Sequence, residues 1–325
     1  IYPALQKHLQ TRHVTVLTGM RRTGKTTLLK HLLDELSSSN KLFIDLERLD
    51  NRELFSSQNY DAVLLALAQY GLNTRAKIYL FLDEIQLVPN IPSVIKYLCD
   101  THDIKFIVTG SSSYYLKNLF TESLAGRKKI FEVFPLDFGE FLTFKQIPYN
   151  SQNFLESSFN RNEYERVSAL YEEYTRFGGF PEVALLPSLE EKKDVLHDIL
   201  NSYVSIDIKT LSDFKESGKL YQLLKMLASR VGTKLDYAKL SRLTGISRST
   251  VINYVDLFEK TYLIARVPVH THNPDREIVK AQKLYFSDNG LLRILAEDVD
   301  SGTLFENAVF AQLRHIGEVR YFSLK

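Results

Sequence analysis

The chain has 325 residues, 44% of them apolar and 25% charged, an ordinary balance for a protein with buried cores and a length that calls for two or three domains. A formal net charge of +2 at pH 7 excludes a globally basic nucleic-acid binder, so any basic surface must be local. A single cysteine, Cys99, excludes an internal disulfide, and no apolar run reaches transmembrane length or reads as a signal peptide, so a cytoplasmic protein without a membrane partner is expected.

Residues 1–12 read as a short amphipathic helix. The first residue is not Met, so a preceding segment is expected. Val14, Val16 and Leu17 then form a β-branched, apolar run that predicts a buried strand. It breaks into Gly19-Met20-Arg21-Arg22-Thr23-Gly24-Lys25-Thr26, which satisfies G-x-x-x-x-G-K-[ST], followed by Thr27 and a helical stripe of Leu28, Leu29, Leu32, Leu33 and Leu36. Strand, glycine loop and helix are the context a phosphate-binding loop needs. The glycines let successive backbone N–H groups turn inward, and the helix N-terminus adds partial positive charge. Lys25 is placed for the β- and γ-phosphates and Thr26 for Mg²⁺. The bland alternative is a chance match in an ordinary loop.

Strands are expected at Lys41–Leu46, Ile78–Glu84, Ile104–Thr109 and Lys129–Phe134, with helices between them, which argues an α/β layer fold with a parallel sheet over residues 1–150. Asp83 and Glu84 end an apolar strand. Asp83 is read as a Mg²⁺ ligand and Glu84 as the group polarising the attacking water, the alternative being a helix start that favours acids. Thr109-Gly110-Ser111-Ser112-Ser113 puts hydroxyls where a γ-phosphate would lie. Ser111 or Ser112 is the candidate sensor, and helix N-capping is an equal account. Cys99 reads as a small core residue.

Residues 151–212 predict a helical segment, with a sharp turn at Gly178-Gly179 that brings Arg176 toward the nucleotide or simply packs helices. Residues 213–283 change pattern. Helices are expected over Leu220–Leu227 and Tyr237–Leu243, a third from Ser247 as N-cap, then a β-rich stretch from Leu263 to Val269. That order spells a winged helix-turn-helix. Arg242, Arg248 and Asn253 are its candidate DNA contacts, with Ser249, Thr250, Lys239 and Lys234 beside them. Asp256 and Glu259 on the same helix count against DNA, and such modules also dock proteins. His270 and His272 alternate without a third ligand, so no metal site is expected there.

TGMRRTGKTTLL, IYLFLDEIQ, VTGSSS, SLAGR and FPLDFGEFL, in this order, resemble a group of prokaryotic AAA-type ATPases similar to the archaeal ATPases and carrying a C-terminal region of unknown function. The likeness continues through Tyr174–Glu182, Leu284–Gly290 and Gly302–Asn307. It implies a P-loop NTPase core with sheet order 5-1-4-3-2, ATP as the nucleotide, and Arg127 of SLAGR as a catalytic arginine finger, supplied by a neighbouring subunit in a homo-oligomer; a solvated loop arginine is the plain alternative. It also implies that residues 284–325 begin a nuclease-like α/β module, with Glu306 at its first-helix acid position and the remaining acids beyond Lys325. A helix-start carboxylate is the simpler role for Glu306. The expected whole is a Mg²⁺-dependent ATPase coupled to a winged helix that acts on DNA. The alternative is a slow nucleotide switch controlling a protein-docking module.

Overall fold

The computed structural model describes residues 1–57, 59–111, 126–148, 160–208, 217–271 and 281–322. Contacts divide the chain into two compact units, Ile1–Val133 and Phe134–Lys325.

The first unit is a five-stranded sheet built from β1 (Val14–Thr18), β2 (Lys41–Asp45), β3 (Ile78–Asp83), β4 (Ile104–Gly110) and β5 (Lys128–Glu132). Read from one edge the order is β5-β1-β4-β3-β2, and every neighbouring pair is parallel. The expected 5-1-4-3-2 order is therefore the observed one. Every residue of β1, β3 and β4 is buried, because helices cover both faces of a parallel sheet. Alternate residues feed two cores. Val14, Val16, Leu80, Leu82, Phe106 and Val108 meet Val63 and Leu67 of the helix Tyr60–Gln69 and Val94, Ile95 and Leu98 of the helix Ile91–Thr101. On the other face Leu17, Tyr79, Phe81 and Ile107 meet Leu5 of α1 (Tyr2–His8) and Leu29 and Leu32 of α2 (Lys25–Glu35). Cys99 is half-buried beside the first of these cores, and burial pushes its thiol up to about 11, as an inert core residue requires.

The chain leaves β1 for β2 and returns to β1's neighbour β4 only after β3. In parallel sheets this reversal opens a crevice outside the carboxyl ends of the strands, here Thr18, Asp83 and Gly110.

The second unit starts earlier than the expected boundary at 150. Asp137 caps the helix Phe138–Phe144 in a reciprocal capping box with Glu140. Leu136, Phe141 and Leu142 then pack with Tyr174 of the helix Arg161–Phe177 and with Ala184, which removes this stretch from the sheet unit. Helices Pro181–Leu185 and Leu189–Ser202 follow. Helices Ser217–Ala228, Tyr237–Thr244 and Arg248–Lys260 lie where the periodicity placed them, with Ser247 accepting the Thr250 N–H as N-cap.

The expected break at 283 is also displaced. Lys283–Phe286 (β7) pairs antiparallel with Ile264–Val267 (β6), so a cut there would split a two-stranded sheet. Beyond it the helices Asn289–Leu295 and Ser301–Ile316 belong to the same unit. Asp288 accepts the Gly179 N–H at 2.7 Å, Asn289 donates to the Thr175 carbonyl at 2.8 Å, and buried Asn307 bonds both Phe286 backbone groups. The helix-start role belongs to Asp300, which accepts the Thr303 N–H at 2.9 Å. Glu306 instead accepts from Tyr285 (2.6 Å) and Lys283 (3.1 Å), bracing the helix against β7.

Candidate functional site

The glycine loop leaves the end of β1 and enters α2. Gly19 has φ 154°, and a Cβ there would lie 2.1 Å from the Val133 carbonyl oxygen, so only glycine lets the loop run this close to the neighbouring strand. Gly24 sits in the left-handed region at φ 89° and forms the N-cap of α2. Between them the loop folds around one carbonyl: Met20 O accepts from Thr23 Oγ1 at 2.9 Å and from Lys25 Nζ at 2.8 Å. Lys25 is buried, so its ammonium stands inside the curl rather than in solvent. Thr26 is half-buried one residue into α2, Thr27 and Arg22 are exposed, and Arg21 is half-buried. Arg22 is left-handed at φ 64°, a conformation that costs a non-glycine residue about 1–2 kcal/mol and marks a loop shaped by its surroundings.

Two strand ends complete the crevice. Thr18 pairs with Gly110, and Leu82 with Val108, so the ends of β1, β4 and β3 stand side by side, spanning about 10 Å at the usual strand spacing. Asp83 is buried and accepts a hydrogen bond from the Thr109 hydroxyl. The same hydroxyl oxygen accepts the Glu84 N–H at 3.0 Å. Thr109 thus ties both acids to β4, a role its placement among phosphate-facing hydroxyls did not suggest. Glu84 lies in the left-handed region at φ 55° and opens only the single turn Ile85–Leu87, so the acids do not begin a long helix. Its carboxylate accepts from Gln86 Nε2, which also donates to Ser111 Oγ at 3.2 Å. Ser111 is buried, while Ser112 falls outside the described residues. Gln86 was missed by sequence reasoning, although the spelling Asp83-Glu84-Ile85-Gln86 placed it one turn from the acids.

The arrangement suits a magnesium–triphosphate. The positive-φ glycines could form its cradle and Lys25 its cation, and Thr26 and Asp83 are hard oxygen donors of the kind that could hold Mg²⁺. Thr18 Oγ1 and Gln86 Oε1 are buried without a hydrogen-bond partner among the described residues, which is polar capacity left for a ligand or its water.

Arg127 joins none of this. It precedes β5, its carbonyl accepts the Val14 N–H at 2.8 Å at the start of β1, and its guanidinium pairs with Asp100. That is the amino edge of the sheet, opposite the glycine loop, so Arg127 does not reach the site of its own subunit.

In the second unit, Arg242, Arg248 and Asn253 are exposed. Asp256 and Glu259, the acids that counted against DNA, are paired with Arg266 of β6 at 2.7 and 2.5 Å, which offsets one of their two charges. The His270 ring lies tilted against Phe322, 5.3 Å between centroids, and His272 is outside the described residues. One other group of potential metal ligands occurs among the described residues, Asp137, Glu140 and His315, but both carboxylates already serve the capping box.

Fold and loop together define the class: the first unit is a P-loop nucleoside-triphosphatase core. Residues 11–142 match the family model of an AAA domain, and residues 168–301 match a domain of unknown function (DUF8612). The chain is 29% identical over 311 residues to an uncharacterized protein of Methanocaldococcus jannaschii, covering 94% of this chain and 67% of the relative. It is 28% identical over 319 residues to an uncharacterized protein of Haemophilus influenzae, covering 94% and 76%. Of an uncharacterized Mycobacterium tuberculosis protein, 24% identical, it spans 58%. Among solved structures it is similar to Aeropyrum pernix ORC1 in complex with DNA (TM-score 0.37, 12% identity, 97% of this chain and 93% of that one). It is also similar to AMPPCP-bound DnaA from Aquifex aeolicus (TM-score 0.32, 15% identity, 79% and 86%). No helix among the described residues is long and apolar enough to cross a membrane.

Proposed function

We propose that the protein is a Mg²⁺-dependent ATPase of AAA type whose nucleotide state controls a winged-helix module acting on DNA. The observation that carries the reading is the buried Lys25 held inside the glycine loop, with Asp83 and Glu84 tied to β4 by Thr109 at the same sheet edge. The loop N–H groups and Lys25 bind the phosphates, and adenine is taken from the family resemblance. Thr26 and Asp83 hold Mg²⁺, which neutralises charge on the phosphate oxygens when bound. Glu84 accepts the proton of the attacking water, and Ser111 stands beside it as the sensor.

Arg127, excluded from its own subunit's site by position, acts in trans within a homo-oligomer. Hydrolysis per subunit should then rise with protein concentration, and mixing Arg127→Ala with Lys25→Ala subunits should restore part of the activity. Absence of restoration in mixed oligomers verified by mass leaves Arg127 as the partner of Asp100 alone.

The winged-helix reading rests on three helices followed by the antiparallel β6–β7 pair, and on Arg242, Arg248 and Asn253 being exposed while Arg266 offsets one of the two nearby acidic charges. Duplex DNA should stimulate hydrolysis, and its binding should weaken with salt by nearly one unit of log–log slope per phosphate contact. Replacing Arg242 and Arg248 together by Ala should lower that slope by about two units. Hydrolysis indifferent to DNA would favour the protein-docking switch.

A further inference from the structure

We infer that Gln86 is the second group that holds the attacking water, an assignment that rests on the hydrolytic reading above. Gln86 lies in the turn Ile85–Leu87 directly after β3, and its amide nitrogen is committed to the Glu84 carboxylate and to Ser111 Oγ. Its carbonyl oxygen is different. Oε1 is buried and meets no donor among the described residues. A buried amide oxygen without a donor costs stability, and an acceptor left open beside a site normally awaits a ligand or an ordered water.

Exchanging the amide's oxygen and nitrogen would not cure this. It would face Oε1 against the Glu84 carboxylate, two acceptors with no proton between them, so the network assigns the nitrogen to Glu84. The neighbouring groups are held in place as well. Glu84 is fixed in the left-handed region with its N–H on Thr109 Oγ1. The Gln86 amide in turn fixes the Glu84 carboxylate. The end of β3 therefore carries two acceptors, a carboxylate oxygen and a neutral amide oxygen that is closed to solvent here and becomes available to water when the triphosphate enters.

A water has two protons to place between them, which leaves a lone pair for the γ-phosphorus. As its oxygen bonds phosphorus, the bond from phosphorus to the bridging oxygen breaks and that electron pair stays on the departing diphosphate. The water's proton passes to Glu84, and the products are ADP and inorganic phosphate. An amide suits the second position because it accepts a hydrogen bond without adding negative charge beside Glu84 and the triphosphate.

The test uses the full chain with Gln86→Met and Gln86→Glu, and with Glu84→Gln run alongside. Affinity for a non-hydrolysable ATP analogue and single-turnover hydrolysis are measured for each. Gln86→Met should bind the analogue within about threefold of wild type and hydrolyse about 10- to 100-fold more slowly. Gln86→Glu keeps an acceptor but sets two carboxylates together, which should move the acid limb of the pH–rate profile to higher pH. Because the Gln86 amide already touches the Glu84 carboxylate, a merely positioning role would move the profile too. Gln86→Lys separates the two and carries the test if Gln86→Met does not fold, since it keeps a donor for Glu84 but no acceptor for water. It should hydrolyse about as slowly as Gln86→Met, whereas a near-wild-type rate overturns the inference. A Gln86→Met rate equal to wild type, or an unmoved pH profile in Gln86→Glu, overturns the inference. A rate above wild type overturns it too and makes Gln86 a restraint on Glu84. Wild-type hydrolysis by Glu84→Gln would instead refute the hydrolytic reading itself, so the two failures are distinguishable.

Discussion

Lys25→Ala is expected to abolish triphosphate binding, whereas Glu84→Gln keeps binding and loses hydrolysis. The division follows from where each group acts. On the proposed reading Lys25 meets phosphate charge in the ground state, in a buried position where an unpaired phosphate would be costly; loss of such a pair costs about 2–5 kcal/mol, roughly a 30- to 5,000-fold rise in Kd. The same substitution removes one of the two donors to Met20 O, so the empty loop should also loosen. On the same reading Glu84 contributes only as water attacks, so its amide should lower single-turnover hydrolysis about 10²- to 10⁴-fold with affinity nearly unchanged. Equilibrium nucleotide titration and rapid-quench hydrolysis of both variants check this. Wild-type turnover by Glu84→Gln removes that residue from the mechanism.

Gly179→Ala should be among the most damaging single-methyl changes in the second unit. A Cβ there would stand 2.2 Å from the Leu136 carbonyl oxygen and 3.0 Å from its nitrogen, both backbone atoms that cannot swing away. The contact is also hydrogen-bonded, since Leu136 N–H donates to the Gly179 carbonyl at 2.7 Å and Gly179 N–H donates to Asp288. A loss of about 4 kcal/mol or more is expected, against about 1 kcal/mol for Gly71→Ala, where a Cβ meets nothing within 4 Å and only the positive φ is strained.

Asp288 adds a pH dependence to the same junction. Burial pushes its carboxyl up to about 6, although backbone N–H groups of Gly179, Leu291 and Gly290 pull the other way. A folded-state value above the unfolded one means that the protonated form is favoured on folding. This contribution is therefore fully present near pH 4 and below, and is lost as pH rises through 6. In urea unfolding, wild type should gain on Asp288→Asn by about 2 kcal/mol between pH 7 and pH 4, and a constant difference would contradict the assignment.

Much of the first unit was legible because its signals are local. The glycine-loop spacing, the all-apolar β3 and β4, and Asp83-Glu84 at a strand end each follow from a few consecutive residues and the chemistry of phosphate. The helices of residues 217–260 were readable for the same reason, their 3.6-residue stripes and the Ser247 cap being short-range features. What escaped depends on atoms brought together from distant parts of the chain. Leu136 and Gly179 meet across more than forty residues and move the unit boundary to Val133, and β6 claims β7 from the expected tail module. Arg266 pairs with both Asp256 and Glu259 and offsets one of their two charges, and the parallel register carries Arg127 to the sheet edge opposite the glycine loop. Thr109 and Gln86 were in plain view as residues, but their roles are set by which lone pair or proton each neighbour leaves unmet. Backbone periodicity and motif spacing are encoded within a few residues and so survive in the sequence alone. Hydrogen-bond satisfaction and close packing belong to the folded arrangement and are decided only there.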